Sequence, residues 1–434
     1  MARHPLRRLA ATDLDRSREP LFDGATAARA AAIVADVRAH GEAALRRWAR
    51  ELDGLGEGRL FYSPDDCRRA LAGLDSAAAS LLERTAERIR SFALGQRSAL
   101  SSFTMEIPGG VAGHEILPVA SAGCYAPGGL HPLPSSVLMT ALVAKTAGVE
   151  SVWVASPRPA PETLAAASIA GADGLIAAGG AQAIAALAFG LGGGGAYGGR
   201  DGEPRVPAAE RIVGPGNRWV AAAKSLVAGE VPIESVAGPS ELLVIVDGSA
   251  DPELIAADLL AQAEHDPDAL PILLATDDRL VAAVEEALGR RLADLPTAAV
   301  AIKALARGGA LVDADLGALL AASEAFAPEH LELLVADADR LRARIRNAGA
   351  VFVGAGAAEV IGDYGAGPNH VLPTGGSARA TGGLSVFSFL RIRTWMRIDD
   401  AAAAKGLYED ARDLARIEGL EAHARAAIAR GGEA

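Results

Sequence analysis

The sequence is poor in the residues that mark several common protein classes. Only two of its 434 residues are cysteines, Cys67 and Cys124, which is too few for a disulfide framework and typical of a reducing cytoplasm. No Cys-x-x-Cys spacing exists, which excludes a structural zinc finger. Residues 1–20 lack the apolar core of a secretory signal. We therefore expect a cytoplasmic protein.

Excess positive charge and a convincing membrane segment are also missing. The formal net charge of −12 argues against a general nucleic-acid binder, because phosphate contacts need clustered Lys and Arg. Residues 174–199 carry no charge and are long enough to cross a bilayer, but repeated glycines interrupt them. We expect small-molecule partners, and neither nucleic acid nor a membrane.

The sequence is rich in small apolar residues. Half of the chain is hydrophobic, only 4% is aromatic, and 49 residues are glycine, a mixture that suits helices packed closely on parallel sheets. A chain of 434 residues exceeds the size at which one core keeps growing. Strand and helix patterns alternate over 151–226 and again over 242–353, between helical patterns at Thr26–Glu51, Ser76–Ala99 and Asp399–Arg430. The expected fold class is α/β, with two Rossmann-like parallel-sheet domains and helical arms at both ends.

Glycine turns mark the first alternating series. Gly123–Gly129 follows a strand-like piece, Ile116–Ala120, while Gly180-Ala-Gln182 and Gly214-Pro-Gly-Asn217 each stand between a strand and a helix. Open α/β sheets bind ligands at such switches, so these turns are the best cofactor candidates. Residues 190–195 formally match G-x-G-x-x-G, but a helix precedes them and no clear helix follows. We interpret 191–207 as an inserted surface loop.

Side chains able to bind a metal or move a proton stand in the second half. Gln262 and His265 lie three apart in a helical pattern over Leu254–His265, either as metal ligands on one helix face or as a polar helix end on the surface. Glu329 and His330 pair groups suited to proton transfer. The glycine-rich loop 362–370 surrounds an acid and an imidazole, which is more typical of a functional loop than of a connector.

Taken in order, eight motifs resemble those of histidinol dehydrogenase over about residues 25–430. Each motif alone is weak, but eight in order are a strong signal. They are Tyr125-Ala-Pro-Gly-Gly129, Gly180-Ala-Gln182, Gly214-Pro-Gly-Asn217, Ala237-Gly-Pro-Ser-Glu241, Ala261-Gln-Ala-Glu-His265, Ala327-Pro-Glu-His330, Gly367-Pro-Asn-His370 and Glu418-Gly-Leu-Glu-Ala-His423.

The resemblance implies a zinc-containing, NAD-dependent enzyme that oxidises L-histidinol to L-histidine in two steps through the aldehyde. It implies one Zn²⁺ per subunit and Glu329 and His330 as the acid–base pair. The implied zinc ligands are Gln262, His265, Asp363 and His423. The implied substrate contacts are Ser240, Gln262, His265, His330, Asp363, Glu418 and His423, and the implied NAD contacts are Tyr125, Gln182 and Asn217.

The resemblance also implies a domain plan and an intertwined homodimer. Its parts are an N-terminal arm, 1–22; a discontinuous substrate and metal domain, 23–123 with 241–384; an NAD domain, 124–240; and a C-terminal helical arm, 385–434. That arm crosses to the partner subunit in the family, so Glu418 and His423 would complete the neighbouring site.

Several alternatives stay open. Related zinc dehydrogenases oxidise other polar alcohols, among them sulfopropanediols. Cys124 is either a thiol nucleophile acting on the aldehyde or a small packed residue beside the glycine turn. A non-enzymatic alternative is a zinc-held interaction protein. His, Gln and Asp ligands do not identify the metal by themselves.

Overall fold

The computed structural model describes residues 4–15, 21–56, 58–128, 132–192 and 206–431. Two compact units make up the chain: residues 1–94 with 120–389 form the first, and residues 95–119 with 390–434 form the second. Within the described ranges, every helix is too short or too polar to span a bilayer.

Helices and strands alternate through most of the first unit. The strands of the chain are β1 Phe61–Tyr62, β2 Phe103–Ile107, β3 Gly110–Pro118, β4 Ser121–Tyr125, β5 Ser151–Ala155, β6 Gly174–Ile176, β7 Arg211–Val213, β8 Glu241–Val246, β9 Leu270–Ala275, β10 Gly309–Val312, β11 His330–Leu334, β12 Ala350–Val353 and β13 Leu390–Ile398. The helices are α1 Gly24–Asp53, α2 Pro64–Gly73, α3 Ser76–Ser98, α4 Pro134–Val137, α5 Val143–Ala147, α6 Pro161–Ala170, α7 Gly180–Phe189, α8 Arg218–Val227, α9 Pro252–Ala263, α10 Asp278–Leu292, α11 Ala298–Arg307, α12 Leu316–Phe326, α13 Ala338–Arg342, α14 Glu359–Asp363, α15 Lys405–Ile417 and α16 Glu421–Ile428.

The first parallel sheet has the strand order β1-β6-β5-β4-β7. β1 runs antiparallel to β6, and the other neighbours pair in parallel. Helices α1, α7 and α8 pack on one another in one layer, and α2, α4 and α6 pack together in another. The strand order reverses between β4 and β7, so the carboxyl ends of these strands form the edge where open α/β sheets bind ligands.

The second parallel sheet has the strand order β10-β9-β8-β11-β12. All six residues of β8 are buried, because helices cover both faces of the sheet. Leu242, Val244 and Val246 pack into a core with α9, α10 and α11. Leu243 and Ile245, which alternate with them, pack into a core with α12. The predicted α/β class with parallel sheets is confirmed.

The second unit contains an antiparallel sheet of order β13-β3-β2 together with α15 and α16, which pack on each other. The continuous helix predicted over Asp399–Arg430 is wrong. Gly419, in the left-handed region with φ 76°, separates α15 from α16. The strand-like piece Ile116–Ala120 is likewise divided between β3 and the turn before β4.

Two helix predictions in the first unit need correction. The helix over Thr26–Glu51 is interrupted at Gly41, where φ is 54° and ψ is −130°. The helix over Ala338–Asn347 ends at Arg342. Most of the expected insertion, 193–205, lies outside the described residues. At its base, Leu191 and Val206 form an antiparallel bridge with N–O distances of 2.8 and 3.3 Å.

Candidate active site

The predicted acid–base pair lies where β11 begins. His330 is the first residue of β11 and stands beside Leu242 of β8 in the parallel register. The Nδ1–H of His330 donates to the carbonyl of Glu241 at 3.0 Å. The Oε2 of Glu329 accepts from the backbone N–H of Glu241 at 2.8 Å. Glu241 therefore fixes both side chains, and the site lies at the amino edge of the second sheet.

His330 is held as a neutral base. Burial and the nearby His265 and His370 together lower its pKa to about 3, although the hydrogen bond to Glu241 opposes this shift. Because Nδ1 carries the proton donated to Glu241, the lone pair resides on Nε2. Among the described residues, this buried Nε2 has no hydrogen-bond partner, and it lies 3.8 Å from Oδ1 of Asp363. A substrate hydroxyl could therefore donate to it.

Glu329 is a buried carboxyl with an unusually high proton affinity. Burial raises its pKa well above the ordinary glutamate value, and the negative charges of Glu241 and Asp363 raise it further. The hydrogen bond from the Glu241 backbone opposes this shift. A carboxylate at this position is a stronger base than an exposed glutamate, which suits general acid–base catalysis.

Three side chains close to this pair could hold a metal ion. Ligand atoms of His265, Glu359 and Asp363 all lie within 4.8 Å of one another. His265 Nε2 lies 3.9 Å from Asp363 Oδ2, and their side chains are 38% and 17% exposed. Imidazole nitrogen and carboxylate oxygen are both suitable ligands for Zn²⁺. The structure thus brings the predicted ligands His265 and Asp363 together.

The sequence pattern predicted that Gln262 and His265 share one helix face. In the structure they do not share a regular face. α9 ends at Ala263, and His265 lies in the following turn, where its N–H donates to the Gln262 carbonyl at 3.4 Å. With its amide nitrogen turned toward Glu359, buried Gln262 donates to both carboxylate oxygens at 2.9 Å. The amide oxygen is then directed away from Glu359, as a metal ligand would require.

Glu359 was missed by the sequence analysis and is part of a buried acidic group. The Oε1 of Glu332 accepts from the Glu359 N–H at 2.8 Å. Burial and the charge of Asp258 raise the pKa of Glu332 to about 8, and burial raises that of Asp363 to about 7. Burial also raises the pKa of Glu359 well above its ordinary value. A bound cation would stabilise the charged forms of these carboxyls, so the residues present fit a divalent metal.

Spacing in the sequence offered a signal for these missed acids. Glu359 precedes Asp363 by four residues, and Asp258 precedes Gln262 by four, so each pair falls on one helix face. His370, which was noted in its motif without a role, donates from Nδ1 to the Asp363 carbonyl at 2.9 Å. Burial lowers its pKa to about 4.

Two predicted cofactor residues meet at the first turn of α7. The hydroxyl oxygen of Tyr125 accepts from the Gly180 N–H at 3.3 Å. Gln182 is buried, and its Nε2 donates to Asp53 at 3.0 Å. Asp53 also accepts from the Gly179 N–H at 2.9 Å. The carboxyl edge of the first sheet thus joins residues from α1, β4 and α7.

The third cofactor candidate, Asn217, caps α8. Its Oδ1 accepts from the N–H groups of Trp219 and Val220 at 3.1 and 3.3 Å. The turn before it packs on β4, since a Cβ at Gly214 would stand 1.9 Å from the Tyr125 carbonyl oxygen. This contact places the Gly214 turn beside Tyr125.

The remaining predicted residues differ in their surroundings. Ser240 directly precedes β8 and is half-buried, and its carbonyl accepts from the Leu270 N–H at 3.0 Å. Glu418 and His423 belong to the second unit, where both are exposed and line an open groove along α15 and α16. Cys124 is buried within β4, and burial raises its thiol pKa to about 12, which supports packing over nucleophilic attack.

The fold and the site define an α/β enzyme with a buried acid–base pair next to a candidate metal centre. A family model described as histidinol dehydrogenase matches residues 17–431. The chain is 46% identical over 399 residues to a histidinol dehydrogenase of Thermus thermophilus, covering 91% of this chain and 92% of that protein. It is 42% identical over 438 residues to one of Pseudomonas aeruginosa, covering 97% and 96%.

A solved structure gives the same result. The crystal structure of histidinol dehydrogenase from Elizabethkingia anophelis matches with a TM-score of 0.89 at 30% identity, covering 99% of each chain. The chain therefore belongs to the histidinol dehydrogenase family, a family of oxidoreductases.

Proposed function

We propose that the protein oxidises L-histidinol to L-histidine through the aldehyde, with NAD as the hydride acceptor and one zinc ion per subunit. The observation that carries this proposal is the neutral, buried His330, whose Nε2 has no hydrogen-bond partner among the described residues and lies 3.8 Å from Asp363. A base poised beside candidate metal ligands suits proton removal from a bound alcohol. Family membership supports histidinol as that alcohol.

Gln262, His265 and Asp363 would hold the metal, together with His423 from a partner subunit. Zinc would supply a redox-inert positive charge that orients the amine and imidazole of the substrate. Glu359 would keep the Gln262 amide in place through the two 2.9 Å hydrogen bonds. Ser240 and Glu418 would contact the substrate, and a Glu418 carboxylate suits an imidazole N–H.

In the first oxidation, His330 takes the hydroxyl proton at Nε2 as hydride leaves the alcohol carbon. Tyr125, Gln182 and Asn217 would bind NAD, which would be the hydride acceptor. Glu329 then removes a proton from water as the water adds to the aldehyde carbon, and His330 returns its proton to the aldehyde oxygen, which forms the hydrate. The hydrate then gives a hydroxyl proton to His330 and loses a second hydride, for which a second NAD would be the acceptor, and the carboxylic acid remains. The raised pKa of Glu329 makes its deprotonated carboxylate a stronger base for the removal of the water proton.

A panel of polar primary alcohols, including histidinol and a sulfopropanediol, tests the substrate. Purified protein with NAD should form two NADH per histidinol, and a chelator should abolish the reaction. A yield of one NADH with released aldehyde contradicts the role of Glu329. A preference for the sulfopropanediol would contradict histidinol as the substrate and support the alternative alcohol. Metal-dependent assembly without NADH formation would support the interaction-protein alternative.

We further propose a cytoplasmic homodimer whose sites are completed by Glu418 and His423 of the partner chain. In support, both residues are exposed in the second unit, and Cys67 and Cys124 are buried and unbridged. His265→Ala and His423→Ala proteins should each be inactive alone. When equal amounts of the two variants are mixed and then refolded together, about a quarter of the wild-type sites should be recovered. Half of the dimers are then mixed, and one of the two sites in each mixed dimer is intact. No recovery would contradict shared sites.

A further inference from the structure

Asp53 places a carboxylate at the beginning of α7. It is the last residue of α1, and its Oδ2 accepts from the Gly179 N–H at 2.9 Å and from Gln182 Nε2 at 3.0 Å. Gly179, the N-cap of α7, has no side chain that could accept from the first N–H groups of this helix. A helix beginning after a parallel strand often binds a phosphate, and here the chain's own carboxylate occupies that position.

Two buried polar atoms at the same edge of the first sheet are left without partners among the described residues. Within the part of the chain that the structure describes, Gln182 Oε1 and Ser156 Oγ make no hydrogen bond, and both side chains are 1% exposed. Ser156 directly follows β5, and Gln182 is in the first turn of α7, so both lie at the carboxyl edge of the first sheet. Unpaired buried polar atoms are costly, which indicates that a polar ligand satisfies them.

A positive charge lies next to the same edge. Arg158, two residues after Ser156, is exposed and has a left-handed backbone with φ 46°. Burial raises the pKa of Asp53, and the positive charge of Arg158 acts in the opposite direction. In nucleotide-binding sheets, the end of the second strand reads the ribose 2′ position: an acid accepts from the hydroxyl, and an arginine accommodates a 2′-phosphate. β5 is the second parallel strand of this sheet, so Arg158 stands where that choice is made, and Asp53 is at the start of the helix after the neighbouring strand β6.

We propose that Asp53 makes the cofactor site selective for the dinucleotide that lacks a 2′-phosphate. The carboxylate repels the phosphate and neutralises Arg158, which would otherwise attract it. The inference rests on the proposed function, because it assumes that the first sheet binds a nicotinamide dinucleotide. Asp53 would then be a specificity-determining residue contributed by a helix outside the nucleotide-binding strands.

The test compares NADH and NADPH binding, measured by fluorescence without any alcohol present. Asp53→Asn retains an oxygen that can accept from Gly179 but removes the charge. The ratio of the two dissociation constants should shift about tenfold toward NADPH, which corresponds to about 1.4 kcal/mol. Asp277→Asn is the matched control, since Asp277 caps α10 by accepting from Arg279 and Leu280 at 2.8 and 2.9 Å. Its ratio should stay at the wild-type value.

A second variant checks the role of Arg158. Adding Arg158→Ala to Asp53→Asn should return the ratio toward the wild-type value. If Asp53→Asn instead weakens the binding of NADH and NADPH equally, Asp53 only stabilises the start of α7, and the proposal is overturned. A shifted ratio in a protein that does not oxidise histidinol would support this inference and contradict the proposed function. Failure of the wild-type protein to bind either dinucleotide would contradict both.

Discussion

The first sheet presents its candidate cofactor turns where its parallel strands end, whereas the second sheet presents Glu329 and His330 where its strands begin. These two edges differ in charge preference. At the carboxyl edge, α7 and α8 begin, and the amino end of a helix favours negative charge, which Asp53 supplies at α7. At the amino edge, α9 ends next to Gln262 and His265, and the carbonyl end of a helix favours a cation. The two edges thus present opposite ends of helices, which favour opposite charges.

The two edges also differ in the chemical groups that line them. Backbone N–H groups and glycine turns shape the carboxyl edge, so its function depends on close approach. Buried titratable side chains fill the amino edge, so its function depends on protons and charge. Changes at the two edges should therefore have separable effects on cofactor binding and on chemistry.

The largest effect is expected for His330→Gln at the amino edge. Glutamine can still donate to the Glu241 carbonyl but cannot take a proton, so kcat should fall about 10²- to 10⁴-fold. Binding of NADH, measured by fluorescence, should be unchanged. His114→Gln, on the antiparallel sheet of the second unit, is the control and should retain full kcat. A large loss of NADH affinity in His330→Gln would show that the two edges are not separable.

Gly214→Ala should give a smaller effect with the opposite signature. Gly214 has φ 128°, and a Cβ there would stand 1.9 Å from the Tyr125 carbonyl oxygen. The strain costs about 1–3 kcal/mol and displaces the turn, so the KM for NAD should rise about tenfold while zinc affinity stays constant. Gly229→Ala is the control, because no described heavy atom lies within 4 Å of its Cβ position. Weaker zinc binding in Gly214→Ala would contradict this separation.

The smallest effect concerns the pH dependence of stability at the amino edge. The pKa of Glu332 is about 8 in the folded chain, against an ordinary value of 4.5. Between these pH values the folded state holds more protons than the unfolded state, so the stability of the metal-free protein falls as pH rises. The Tm should drop by a few degrees over this range, and Glu332→Gln should flatten the slope. Bound zinc should also flatten the pH dependence of the Tm, because it stabilises charged carboxyls.

The control for this measurement is Glu286→Gln, at an exposed position on α10. Its Tm should follow the wild-type slope. A slope that is unchanged in Glu332→Gln would mean that this carboxyl does not contribute to the pH dependence.

Hydrophobic pattern predicted most of the fold of the first unit. Buried apolar runs such as β8 have no other stable environment than a sheet covered on both faces, and β5, β7 and β12 were predicted at their observed bounds. The sheet of the second unit was not predicted. β13 alternates apolar residues with Arg391 and Arg393, but most of its side chains are exposed, and the family resemblance implied a helical arm over 385–434.

For the candidate site, motifs identified Glu329, His330, His265 and Asp363, which the structure places within a few ångströms of one another. They did not identify Glu359, whose role depends on contacts with Gln262 and Glu332 from other elements. Sequence spacing carries information within one helix or strand. It carries none about a hydrogen bond between segments that are distant along the chain.

The start of α7 has a consequence for how the protein assembles. The amide protons of Gly179 and Gly180 are donated to side chains 126 and 55 residues away in the sequence, on α1 and β4. In most helices such early amides exchange readily with solvent. Here they become protected only after three distant segments have docked, so their deuterium exchange should follow global unfolding rather than local fraying. These two amides would thus report completion of the fold during refolding.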